Sequence, residues 1–182
     1  MGVDARSLAR LLAVRGAILT GDFTLSSGRK SSVYIDARLL LGDSYTFGEA
    51  LELLDRAAPQ TGFEAVLGVA TAGIPWAAGL ALRRGLPMGY VRPERKSHGT
   101  GRRVEGAPPR GRVILVDDVA TTGRSLLQAA SAAREEGYEP IAAVVLVDRE
   151  EGASEALEKE GLELRRVATL SEILEELGLK AL

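Results

Sequence analysis

The chain has 182 residues, with 23 Lys+Arg against 25 Asp+Glu for a formal net charge of −2, and is 46% hydrophobic and 26% charged. These are the proportions of a soluble globular protein of about one domain with a substantial core, and no apolar run approaches the ~20 residues of a membrane span. There is no cysteine and one histidine, His98, which excludes disulfides, cysteine nucleophiles and multi-cysteine or multi-histidine metal sites, and any Ser-His-Asp triad would have to use His98. Ser7 to Leu19 places Leu8, Leu11, Leu12, Ala13 and Ile18 at helical spacing. Phe23 to Leu25, a polar turn over Ser26 to Lys30, and Ser31 to Asp36 read as a β-hairpin. A helix is expected over Ser44 to Ala57, stopping before Pro59.

From Ala65 onward strands and helices alternate. Buried strands are expected at Ala65 to Ala70, Pro87 to Arg92, Arg112 to Val116 and Ile141 to Val147. Helices are expected at Trp76 to Arg84, Arg124 to Glu136, Gly152 to Glu160 and Ser171 to Leu177. Continuous apolar strands separated by helices imply an α/β fold, a mostly parallel central sheet flanked by helices. In such sheets ligands collect beyond the carboxyl ends of the strands, so the loops after Ala70, Val116 and Val147 are where chemistry is expected. Pro93 to Arg110 interrupts the alternation with Gly99, Gly101, Gly106, Pro108 and Pro109. A loop that long inside a compact domain is either a solvated surface segment or a lid.

The most informative segment is Val113 to Ser125, VILVDDVATTGRS. A strand ends in Asp117 and Asp118, and a turn of Val119, Ala120, Thr121, Thr122 and Gly123 then opens a helix at Arg124 and Ser125. Successive amides there can enclose a phosphate, helped by the positive end of the helix dipole. The two carboxylates beside it can accept hydrogen bonds from sugar hydroxyls, and phosphate plus diol describes a ribose 5-phosphate. Acids that merely cap the helix, or a Walker-B-like metal strand, are the competing readings. The chain has no G-x-x-x-x-G-K-[ST] to partner a Walker B strand.

The full run resembles the phosphoribosyl-pyrophosphate (PRPP) signature of the type I phosphoribosyltransferases. Three further segments resemble the orotate phosphoribosyltransferases within that group: the hairpin FTLSSGRKSSVYID over Phe23 to Asp36, a pyrophosphate loop GVATAGIP over Gly68 to Pro75, and a catalytic loop RPERKSHG over Arg92 to Gly99. The resemblance implies one domain over 1–182 with the type I phosphoribosyltransferase fold, a small N-terminal hood of helix and hairpin over 1–40 and a mobile lid loop over 93–110. It implies Mg²⁺-dependent transfer of phosphoribose from PRPP to orotate, giving orotidine 5′-monophosphate and pyrophosphate in pyrimidine (UMP) biosynthesis, by a homodimer with shared active sites. On this reading Lys96, His98, Asp117 and Asp118 carry catalysis. PRPP is bound by these four with Arg92, Val119 to Ser125, Thr71, Ala72 and Lys30, and orotate by Tyr34, Ile35, Thr121, Arg149 and Lys30. Mg²⁺ is held mainly by PRPP, near Asp117 and Asp118, with no direct protein ligand assigned.

The chain also departs from the family pattern. It has Ser26, Ala72 and Pro93 where relatives often carry lysine, and Lys30 is expected to make up the charge missing at Ser26. Arg149 has an alternative role, a surface pairing with Glu150 or Glu151, and Trp76 is expected in the core. Met1 to Thr20 carries arginines through its apolar pattern and lacks a signal-peptide layout, so the expected compartment is the cytoplasm. No nucleic-acid or membrane partner is expected. Two other functions fit the same signature: transfer to another base, and a PRPP-sensing regulator of the same fold.

Overall fold

The apolar runs and amphipathic stretches resolve into a six-stranded sheet with helices on both faces and a separate two-stranded hairpin. The structure, a computed structural model, describes residues 3–24, 28, 30–94, 102–106 and 110–179. Helix α1 (Val3–Val14) leads into strands β1 (Ile18–Thr24) and β2 (Lys30–Ile35), a 3-10 turn at Ala37–Gly42, and α2 (Ser44–Ala57). Then follow β3 (Ala65–Val69), α3 (Gly73–Arg84), β4 (Met88–Val91), β5 (Val104–Glu105), β6 (Arg112–Ala120) and α4 (Arg124–Glu135). The chain continues through β7 (Glu139–Asp148), α5 (Ala153–Glu158), β8 (Glu163–Thr169) and α6 (Leu170–Glu176).

The sheet order is β5-β4-β3-β6-β7-β8, parallel throughout except for the antiparallel edge strand β5. Strand alternation divides the core into two layers. Val66, Ile114, Val116, Ala142 and Val144 pack with α1, α2 and α3, while Ala65, Leu67, Val113, Leu115, Ala143 and Val145 pack with α4 and α5. Trp76 is fully buried in the first layer, edge-on to Phe47 with ring centroids 5.3 Å apart.

Several elements differ from the sequence expectation. The first helix closes where Ala17 N donates to Leu12 O, so Ile18 does not continue it but opens β1 opposite Ile35. Strand β6 does not stop at Val116. Its pairing with β7 continues through Asp117↔Val145 to Ala120↔Asp148, so the acidic pair lies inside the strand. The interruption expected over 93–110 contains β5, where Glu136 Oε1 accepts from the backbone of Arg103 and Val104 and ties the strand to the end of α4. Strand β8 and the 3-10 turn were not anticipated. No described helix is long and apolar enough to cross a membrane.

Candidate active site

The carboxyl ends of β3, β6 and β7 converge on one edge of the sheet. Because β6 continues through the acidic pair, period-two alternation sends its two carboxylates to opposite faces. Asp117 follows Val113 and Leu115 toward α4, and Asp118 follows Ile114 and Val116 toward α3 and the hairpin. Each lines a different cavity. The first, of about 210 Å³, is lined by Asp117 and Val119 to Leu126. The second, of about 200 Å³, is lined by Tyr34, Ile35, Arg38, Ala72, Asp118, Val119, Thr121 and Arg149. Val119 and Thr121 line both.

The first cavity is built for an anion. Gly123, the N-cap of α4, sits in the left-handed region at φ 77° and ψ 0°, and no side chain caps the helix. The first-turn amides of α4 therefore have no intrahelical acceptor and face a cavity ringed by Thr121, Thr122 and Ser125. A side chain at Gly123 would be strained by that φ and would press on Ala153.

Across the strand, the carboxylates are held by their own backbone. Asp118 N donates to Asp117 Oδ1 at 3.0 Å, and Val119 N donates to Asp118 Oδ1 at 2.8 Å. Burial pushes the Asp117 carboxyl well above its ordinary value of 3.8, and the neighbouring Asp118 charge pushes it further. Burial also raises Asp118, against hydrogen bonds and the Arg38 charge that pull it back. Two desolvated carboxyls in sequence are costly to ionise and suit a partner that brings donors and positive charge.

The second cavity is closed by the hairpin. Arg149, only 6% exposed, reaches from the end of β7 to the hairpin. Its Nη1 donates to Val33 O at 3.2 Å and its Nη2 to Ser31 Oγ at 3.0 Å, while Nε pairs with Glu151 Oε1 at 2.9 Å. The pairing with Glu151 that was expected as a surface alternative is present, made by a buried guanidinium that lines the cavity and a partly buried carboxylate behind it. Three of the five guanidinium N–H groups are thus committed, and the fork is held rigid. Arg38, which the sequence reading did not single out, enters the same cavity from the 3-10 turn.

A family model for the phosphoribosyl transferase domain matches residues 49–171, about two thirds of the chain. The orotate phosphoribosyltransferase of Aeropyrum pernix is 57% identical over 176 residues, 96% of this chain and 95% of the relative. The chain belongs to the orotate phosphoribosyltransferase family. The crystal structure of orotate phosphoribosyltransferase from Aeropyrum pernix superposes with a TM-score of 0.86 at 54% identity, covering 94% of this chain and 99% of that one. The orotate phosphoribosyltransferase of Mycobacterium tuberculosis in complex with PRPP gives a TM-score of 0.75 at 30% identity over 93% of this chain and 98% of that one. This is the type I phosphoribosyltransferase fold, with a mostly parallel sheet between helices.

Among the residues that resemblance to the orotate phosphoribosyltransferases singles out, the structure gathers most around these cavities. Asp117 and Val119 to Ser125 line the first, and Tyr34, Ile35, Ala72, Asp118, Thr121 and Arg149 line the second. Lys30 lines neither. It borders a depression with Asp22, Ser31 to Val33, Leu170 and Leu174. Thr71, exposed beside Ala72, and Arg92, past the end of β4, also line neither cavity. Arg92 Nε is buried without a hydrogen-bond partner among the described residues. Lys96, His98 and Ser26 lie outside the described residues. Arg38 has a weak signal in the sequence: Tyr34, Asp36 and Arg38 continue the period of two past the end of the hairpin.

Proposed function

We propose that the protein transfers phosphoribose from PRPP to orotate, releasing orotidine 5′-monophosphate and pyrophosphate, a step of pyrimidine nucleotide synthesis. The observation that carries this reading is the contiguity of the two cavities. An amide-rimmed anion cradle and a cavity holding a buried arginine share Val119 and Thr121, with one acid of the β6 pair in each. A 5-phosphate in the cradle of Val119 to Ser125 leaves the ribose hydroxyls over Asp117 and Asp118, and places the anomeric carbon toward the second cavity. There Arg149 meets the orotate carboxylate or a ring oxygen, and Tyr34 and Ile35 present backbone groups to the ring.

Loss of pyrophosphate from the anomeric carbon leaves an oxocarbenium-like sugar, while negative charge grows on the leaving group. Cations that meet that charge only in the transition state lower the barrier most. Lys96, His98 and Arg92 take this role, with the loop of Thr71 and Ala72 beside the pyrophosphate. As the bond from the anomeric carbon to pyrophosphate breaks, orotate N1 bonds to that carbon and its proton passes to the departing pyrophosphate or to solvent, so no strong protein base is needed. Lys30, on the hairpin at a neighbouring depression, would add positive charge beside the hairpin face of the site.

Asp117, Asp118, Thr121 and Thr122 offer hard oxygen donors that suit Mg²⁺, and no group of three or more acidic or histidine side chains is arranged as a metal cage among the described residues. PRPP's own phosphate and hydroxyl oxygens would supply most of the ligands beside Asp117 and Asp118. When bound, the ion neutralises charge on the leaving pyrophosphate. We further place the enzyme in the cytoplasm as a homodimer with shared sites, one catalytic domain with the hood at 1–40 and the lid at 93–110 closing to exclude water.

A panel of orotate, uracil, adenine, guanine and hypoxanthine with PRPP and Mg²⁺ tests the reading. Pyrophosphate release should depend on orotate and stay near background with the other bases. Release with a purine but not with orotate would overturn it.

A further inference from the structure

Orotate brings a carboxylate into a cavity whose charged lining residues are Asp118, Arg149 and Arg38, with Glu151 and Asp36 behind the arginines as their pairing partners. One carboxylate in the lining therefore faces two guanidiniums. Removing Arg38 would leave Arg149 against Asp118, with no surplus positive charge for a further anion. Arg149 alone therefore cannot make the cavity hospitable to a carboxylated base.

The setting of Arg38 fits a recognition role. Asp36 caps the 3-10 turn by accepting from Arg38 N, and the same carboxylate takes Arg38 Nε at 2.6 Å and Nη2 at 2.9 Å. Nη2 also lies 3.4 Å from Tyr34 Oη, and Tyr34 is braced by Phe23 at 5.6 Å between ring centroids. The side chain is thus fixed on one edge, while Nη1 with its two N–H groups makes no hydrogen bond to a described residue. A bidentate anchor on one edge with free donors on the other is how a guanidinium serves as a preorganised clamp. Arg38 and Asp118 also feel each other's charge across the cavity, each shifting the other toward its ionised form.

We propose that Arg38 is a specificity-determining residue for the acceptor, supplying the second cation that lets the cavity accept a carboxylated pyrimidine in preference to the same ring without the carboxylate. The inference rests on the orotate reading and deepens it, since nothing in the chain's resemblance to its family points to this position.

The test compares binding of orotidine 5′-monophosphate and uridine 5′-monophosphate, which differ only in the carboxylate, by calorimetric titration of wild type, R38Q and R38K. R38Q keeps a donor for Asp36 and removes the charge, and R38K keeps the charge and loses the fork. With R38Q, affinity for orotidine 5′-monophosphate should fall about tenfold while that for uridine 5′-monophosphate changes less than about twofold. R38K should recover part of the loss. Equal weakening of both nucleotides, or no weakening of either, would overturn the role of Arg38. Failure of the underlying reading shows separately, as a wild-type enzyme that releases no pyrophosphate with orotate.

Discussion

Asp117 is the residue at which function and stability pull hardest against each other. It is 9% exposed, and burial together with Asp118 raises its carboxyl well above 3.8. Between the ordinary and the raised value the folded protein holds a proton there that the unfolded chain has lost. This contribution favours folding on the acid side and is lost as pH rises through that window. Above that window the desolvated carboxylate costs stability, a cost that the proposed hydrogen bond to a sugar hydroxyl would offset. Asp117→Asn keeps an oxygen for the Asp118 N–H and removes the charge. The variant should melt about 2–4 °C higher than wild type at pH 7, corresponding to about 1 kcal/mol for a chain of this size, with the gain shrinking toward pH 4. Its turnover should fall by about a hundredfold or more, since a hydrogen bond to a charged acceptor is lost. Melting curves at the two pH values, paired with pyrophosphate release, check both halves, and a lower melting point at pH 7 would contradict the assignment.

At the scale of elements, the site depends on how closely α3 can start against β6. A Cβ on Gly73 would overlap the Val116 carbonyl oxygen and crowd Asp117 Cα, whereas one on Gly48, in the interior of α2, would meet nothing within 4 Å. Gly73→Ala should therefore cost about 1–3 kcal/mol and raise the KM for PRPP by shifting the loop beside Ala72. Gly48→Ala should gain about 0.5–1 kcal/mol with unchanged kinetics, since it only improves helix propensity. Urea unfolding and initial rates of both variants separate the two effects. The same contrast explains what could be read ahead of the structure. Helix α2 was legible because Pro59 stops it, with Asp43 capping its start in the structure, and β3 and the start of α4 because apolar runs stop at turn residues. Strand β8 was hidden because Arg165 and Arg166 break its alternation at a half-exposed sheet edge. Ile18 obeyed a helical period that the backbone abandons one turn earlier. The first cavity was legible because a contiguous run, Asp117 and Val119 to Leu126, lines it. The second cavity was legible only in part, since Arg38 reaches it from a short 3-10 turn after the hairpin has ended, and Lys30, expected to make up the charge missing at Ser26, lines neither cavity.

For the whole molecule, near-neutral charge conceals a strong asymmetry. Residues 92–112 hold seven basic and two acidic side chains, a net +5, and the remainder holds sixteen basic and twenty-three acidic, a net −7. Such a cationic segment on an acidic body suits a small polyphosphate. Its base is secured by reciprocal contacts, Arg92 N to Arg103 O at 2.8 Å and Arg103 Nε to Arg92 O at 3.1 Å, and by Glu136. In the proposed homodimer, whether Lys96 on that segment serves its own cradle or a partner's is decided by mixing two variants expected to be inactive, Lys96→Ala and the double variant Asp117→Asn/Asp118→Asn. If lids act within their own subunit, every site in a mixed dimer carries one defect and no activity returns. If lids cross the interface, each hybrid dimer has one site with an intact lid from one subunit and intact acids from the other. Random exchange makes half the dimers hybrid, so about a quarter of wild-type activity should return. The measurement is pyrophosphate release after exchange, which is itself verified by native mass spectrometry of size-tagged subunits. Proven exchange with activity still at background would mean that each subunit works with its own lid. Recovery near a quarter would make the dimer the smallest active unit and the +5 segment a contribution to the neighbouring site.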